Sequence, residues 1–253
     1  TLWHTLSLHD ALPISKIKTI SATPISVAMK NLKGLMPDRE KKRFHHTDLN
    51  ACIVDLNTVV RPDLIVVDGI IAHEMYEPRE IDMLMIGRDP VAVDTLACHA
   101  IAGDPADVRY LAEAAARGLG VGDMAGIEIL GESIEDVRTP IETAPDSGSA
   151  FAAHFPEVSI VDGGACTGCT GSLFMALKTA KAKGLLSKVD GVTFAIGKDA
   201  APGSPPEKTV YIGKCLKRFK DGYQYMEGCP FPFMELVDYI DARLRRPGGR
   251  GAE

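Results

Sequence analysis

Two continuous apolar runs organise the first half of the chain. Asp63-Leu64-Ile65-Val66-Val67-Asp68-Gly69 predicts a buried strand closed by an Asp-Gly turn, and Ile81 to Gly87 predicts a second buried strand. Ile25 to Lys30 predicts a shorter one. Asp89-Pro90 pairs an N-cap residue with proline at the first helical position, so a helix is expected from there to Ala102, stopping at Gly103. Asp104-Pro105 repeats the start signal, with Gly118 and Gly120 closing that helix, and Gly126 to Leu130 predicts a strand. Residues 139–150 shift to Pro, Ser and Gly and read as a linker. Beyond it come strands at Val158–Val161, Gly191–Ile196, Val210–Ile212 and Tyr223–Met226, with helices at Ser172–Lys183 and Phe233–Arg245. The last helix carries Leu236, Val237 and Ile240 on one face.

This alternation predicts an α/β protein. An N-terminal α/β module, truncated at its start, spans 16–138, and a smaller C-terminal α/β module spans 151–246. A tail at 247–253 is expected to be disordered. Thr5 to Ile14 reads, residue for residue, as one frame of a widely used sequencing adapter. Residues 1–15 are therefore expected to be non-native, with the natural part beginning near Lys16.

Composition narrows the function classes. The chain has 253 residues, 45% hydrophobic and 25% charged, as ordinary globular domains do. A mildly acidic net charge of −6 with no Lys/Arg cluster of the kind nucleic-acid binders carry, and only 6% aromatic residues, argues against a nucleic-acid partner. No apolar run of about 18 residues is present, so no membrane span is expected. A cytoplasmic location is expected, although a leader ahead of the adapter-like stretch would not be visible.

Four of the six cysteines fall in the second module: Cys166 and Cys169 in Cys-Thr-Gly-Cys, Cys215 in Gly-Lys-Cys, and Cys229 in Gly-Cys-Pro. Each follows a predicted strand, at the sheet edge where open α/β folds bind ligands. Gly163, Gly164, Gly168, Gly213 and Gly228 flank them, and glycine lets backbone N–H groups approach a bound group closely. Four thiolates converging from separate loops suit a [4Fe–4S] cluster. Zinc also accepts four cysteines, usually as two C-x2-C knuckles where only one exists here. A C-x-x-C redox dithiol is the third reading. Cys215 and Cys229 are expected on neighbouring strands joined by a hairpin-like excursion. Cys52 and Cys98 read as small core residues.

Two resemblances bear on these residues. Val27-Ala28-Met29-Lys30-Asn31-Leu32-Lys33-Gly34-Leu35, the Pro62–Gly69 run, and Gly87-Arg88-Asp89-Pro90-Val91-Ala92-Val93-Asp94 resemble the domain of unknown function 362 family, as does Gly118-Leu119-Gly120 before Ile127-Glu128-Ile129. That resemblance implies a prokaryotic protein with an iron–sulfur cluster and no assigned reaction. Ala72-His73-Glu74-Met75-Tyr76-Glu77-Pro78 departs from it, since similar proteins carry Gly-Pro near this point. The loops around Cys166, Cys169 and Cys229 are similar to the cluster loops of nickel–iron hydrogenase small subunits and their complex I relatives. This likeness implies [4Fe–4S] ligation by those three, with Cys215 as the fourth.

Polar candidates sit in the first module. Lys30 and Asn31 would line a cleft in the family reading, or else a solvated loop. Of His45 and His46, one at most faces a given site, and His46 is a candidate base. Asp68 ends a strand, where it binds a cation or substrate or caps the turn. Asp94 lies in a helix among apolar residues and needs a partner, with Lys30 or His46 expected. Lys30, His46, Asp68 and Asp94 thus form the candidate catalytic set. The function expected is an iron–sulfur redox enzyme or electron-transfer subunit acting on a redox partner or small-molecule substrate. The alternatives are a non-redox enzyme with a structural cluster, and a zinc-stabilised binding module.

Overall fold

The computed structural model describes residues 14–20, 23–75, 77–142, 152–201 and 208–243. The expectations for 1–13, for most of the 139–150 linker and for the 247–253 tail lie outside these residues. The chain forms two compact units, Thr1–Ala144 and Pro145–Glu253, both α/β.

The first unit is built on a four-stranded sheet in the order β2-β1-β3-β4. Its strands are β1 (Ile14–Ile20), β2 (Thr23–Ser26), β3 (Ile65–Glu74) and β4 (Glu77–Gly87). Strand β1 runs parallel to β3, with Ile14 opposite Val66 and Ser15 opposite Val67. The end of the adapter-like stretch is therefore inside the ladder. Strand β2 stops at Ser26, and α1 (Ala28–Asn31) begins where the sequence predicted more strand. Lys30 is thus helical, a correction to the Ile25–Lys30 expectation.

The Asp68-Gly69 turn is also corrected. Strand β3 continues to Glu74 and forms a hairpin with β4, and the pairing register shifts between Gly69 and Ile71. A Cβ on Gly69 would stand 2.9 Å from the Met83 carbonyl oxygen, so glycine admits a close strand approach rather than a reversal. The inward face of β4 buries Ile81, Met83 and Met85, while Leu84 and Ile86 face out.

The main helices are α2 (Asp38–His46), α3 (Leu49–Val59), α4 (Pro90–Ala100) and α5 (Arg109–Ala116); α4 packs against β4 and α5, α5 against α3, and α3 against α2. A short turn, α6 (Ile134–Val137), follows. The Asp89 carboxylate caps α4 by accepting the Val91 N–H at 2.8 Å and the Ala92 N–H at 3.1 Å, with Pro90 in the first turn as the sequence predicted. Asp104 caps only a single 3-10 turn before α5. Gly126 to Leu130 is not a strand: a 3-10 turn ends at Gly126 and irregular chain follows.

The second unit has a sheet in the order β5-β6-β7-β8, formed by β5 (Val158–Asp162), β6 (Val192–Ile196), β7 (Thr209–Ile212) and β8 (Gln224–Met226). Every pairing is parallel. Cys215 and Cys229 therefore follow parallel neighbours, and the segment between them is a crossover through a 3-10 stretch at Lys214–Phe219, not a hairpin. Helix α7 (Thr167–Ala182) starts earlier than the predicted Ser172, and α8 (Phe233–Arg243) packs beside it. Leu173, Phe174 and Leu177 of α7, Phe194 and Ile212 of the strands, and Leu236, Val237 and Ile240 of α8 are all buried. Fully burying each such side chain stabilises by about 1.5–3 kcal/mol.

Candidate functional site

A parallel sheet sends all its strands' C-terminal ends to one edge. In the second unit β5 is followed there by Cys166 and Cys169, β7 by Cys215 and β8 by Cys229. Cys166 is the N-cap of α7, and Cys169 lies in its first turn with its N–H on the Cys166 carbonyl at 3.0 Å.

Glycines bring these segments together. Gly213 adopts φ +109, and a Cβ built on it would stand 3.4 Å from the Cys169 Sγ and 3.6 Å from the Cys215 Sγ, so the two sulfurs lie no more than about 7 Å apart. The Gly213 N–H donates to the Met226 carbonyl at 2.9 Å and the Lys214 N–H to the Gly228 carbonyl at 2.8 Å, tying the Cys215 loop to the Cys229 loop. A Cβ on Gly168 would meet the Pro230 ring at 3.3 Å and the Cys166 Sγ at 3.8 Å. At the β5 end, a Cβ on Gly163 would overlap the Ala200 nitrogen at 2.0 Å.

The thiols sense one another. A hydrogen bond with the Cys166 side chain, then burial, pushes the Cys169 thiol up, against a bond from the Phe231 N–H that pulls it down. Burial raises the Cys215 thiol, with Cys166 and Cys229 adding to it and Arg218 opposing. The Tyr225 hydroxyl is raised by burial and then by Glu227 and Cys215, and its oxygen has no hydrogen-bond partner among the described residues. Sequence patterning missed Tyr225 because a tyrosine on a short, half-buried strand reads as ordinary packing. Among the described residues, no three His, Cys, Asp or Glu side chains stand together as a single-ion site.

In the first unit the candidate polar residues separate. Asp94 is fully buried on α4, and its carboxylate accepts the Ala28 N–H at 2.6 Å, the Met29 N–H at 3.3 Å and the Tyr110 hydroxyl at 2.9 Å. Its partners are therefore the start of α1 and a tyrosine of α5, not Lys30 or His46. Burial pushes this carboxyl up to about 7 against the pull of those donors. Asp68 lies elsewhere, on β3, paired with Lys16 at 2.8 Å, and the Lys16 hydrogen bond holds its carboxyl below the usual range. Asp94 and Asp68 do not share a site.

Lys30 is buried, and its ammonium donates to the Thr23 hydroxyl at 2.7 Å. Burial, then the charges of Lys33 and Lys18, lower its pKa to about 7. Lys33 donates to the Nε2 of His45, and burial followed by Lys33, Lys30 and His46 lowers His45 to about 4. His46 is exposed at the end of α2, beside this group. The structure thus joins Lys30 with the His45–His46 pair and leaves both aspartates out.

The chain is a two-unit α/β protein with a four-cysteine sheet edge in the second unit and a lysine-rich edge in the first. Residues 11–99 match the family model described as Domain of unknown function (DUF362). The chain is also 30% identical over 110 residues to the Thylakoid-associated protein sll1697 of Synechocystis sp. (strain ATCC 27184 / PCC 6803 / Kazusa). That similarity covers 39% of this chain and 34% of the relative, so the chain spans about a third of the relative's length. No solved structure matches. Among the described residues, no helix is long and apolar enough to cross a membrane.

Proposed function

We propose that the second unit binds a [4Fe–4S] cluster through Cys166, Cys169, Cys215 and Cys229, and that the protein is a redox enzyme or electron-transfer subunit. The observation that carries this reading is the parallel sheet edge, where Gly213 lies between the sulfurs of Cys169 and Cys215 with no side chain of its own. The donor set is all thiol, the chemistry iron–sulfur clusters select. A single zinc ion draws its sulfurs to within about 4 Å of one another. A cubane leaves its ligand sulfurs farther apart, and the limit of about 7 Å between the Cys169 and Cys215 sulfurs admits either arrangement, so metal analysis decides between them.

Bound there, the cluster would supply one-electron transfer. The chain's own part is to hold and tune it. The Phe231 N–H already donates to the Cys169 sulfur, and Arg218 places positive charge near Cys215. Both favour a more negative group at those sulfurs, and hydrogen bonds to ligand sulfurs are a lever on cluster potential. Electrons would pass to a redox partner or a small-molecule substrate.

The test is anaerobic purification with iron, sulfide and zinc analysis and electron paramagnetic resonance of the reduced protein. About four iron and four sulfide per chain are expected, lowered by serine at any of the four positions and unchanged in Cys52→Ser and Cys98→Ser. Stoichiometric zinc without iron, or iron content indifferent to Cys215→Ser, overturns the reading.

A further inference from the structure

We propose that Lys18, Lys30 and Lys33 form a binding site for the oxyanion group, phosphate or carboxylate, of a small molecule. The three come from three segments. Lys18 is on β1, Lys30 on α1, and Lys33 on the 3-10 turn Leu32–Leu35. Helix α1 packs against both β1 and that turn, and Lys30 senses the charges of the other two lysines.

Among the described residues, no carboxylate lies within salt-bridge distance of Lys18, Lys30 or Lys33, and Asp68, on β3, is paired with Lys16. Lys30 is only 7% exposed, and the Thr23 hydroxyl that accepts from it is neutral. Buried ammonium groups are ordinarily paired with an anion, because desolvation without one is costly. Here burial is combined with repulsion from two like charges, so an added oxyanion relieves both. The remaining N–H donors of Lys30 and those of Lys33 and Lys18 offer several point-charge bonds of the kind lysines make to phosphate. Access fits as well: Lys33 is half-buried, and a side chain built on the adjoining Gly34 would meet nothing within 4 Å. His45 on α2 is hydrogen-bonded to Lys33, and the exposed His46 follows it in the chain. All these groups belong to the first unit, so the proposal stands apart from the cluster reading.

The experiment is isothermal titration of the full chain with inorganic phosphate and, separately, with succinate, at ionic strength matched by chloride. Saturable binding of at least one is expected, weakened about tenfold or more in Lys30→Met and in Lys33→Gln, the effect of one charge-assisted hydrogen bond. Tighter phosphate binding identifies a phosphorylated ligand, and tighter succinate binding a carboxylic acid. Lys183→Gln, an exposed lysine of the second unit, should bind like the parent. No saturable heat with either anion, or equal weakening by Lys183→Gln, overturns the proposal. Should Lys30→Met fail to fold, Lys33→Gln decides alone, and unchanged binding there rejects the site.

Discussion

The Tyr110 hydroxyl donates to the Asp94 carboxylate at 2.9 Å inside the core of the first unit, where both residues are fully buried. The same carboxylate takes the backbone N–H groups of Ala28 and Met29. Asp94 thereby fixes the start of the turn that carries Lys30.

Removing it strands these donors. Asp94→Ala is expected to cost about 3–5 kcal/mol, and Tyr110→Phe about 1–2 kcal/mol, since only one neutral donor is lost there. Urea titrations measure both, and a change under about 0.5 kcal/mol for Asp94→Ala would place the carboxylate outside the packed core.

The carboxyl also makes stability depend on pH. Its folded pKa of about 7 lies above the ordinary 3.8, so between those values the folded state holds the proton more tightly than the unfolded chain. The stability it contributes is complete below about pH 4 and is lost as pH rises through about 7. Denaturation midpoints across this range should therefore fall with pH more steeply in the parent than in Asp94→Asn. Parallel curves would show that Asp94 keeps an ordinary pKa.

Gly163 marks a contact that cannot widen cheaply. Its neighbour is the backbone nitrogen of Ala200, 2.0 Å from a built Cβ, so Gly163→Ala must move main chain at the end of β5. A loss of about 1–3 kcal/mol is expected from thermal unfolding, whereas Gly184→Ala, with open space but positive φ, should lose only about 1 kcal/mol. Equal losses would mean that backbone strain, not overlap, governs both.

Cys98 should resist alkylation. Burial, then the charges of Asp104, Asp94 and Asp107, raise its thiol to about 12, and the thiolate is the reactive form. Iodoacetamide at pH 8 applied to the folded protein after chelator treatment, followed by peptide mass mapping, should leave Cys98 unmodified while the exposed Cys215 reacts. Comparable labelling of both would contradict the buried placement.

What the sequence determined by itself was local. The Asp89-Pro90 start of α4, the strands of the second unit and the cysteine-bearing loops after them follow from capping, periodicity and glycine placement within a few residues. Those signals also supported the α/β class, while the DUF362 likeness came from the resemblance of the stretches Val27–Leu35, Pro62–Gly69 and Gly87–Asp94. Other features depend on segments distant along the chain. Asp68-Gly69 reads as a turn until Met83 of the paired strand shows that glycine serves a close crossing. Asp94 needed a partner, but only packing chose Tyr110 and the α1 backbone over Lys30. A chain with net charge −6 still gathers Lys18, Lys30 and Lys33, because β1, α1 and the turn after it pack together. Coulomb energy depends on distance in space, and folding replaces sequence separation with a few ångströms.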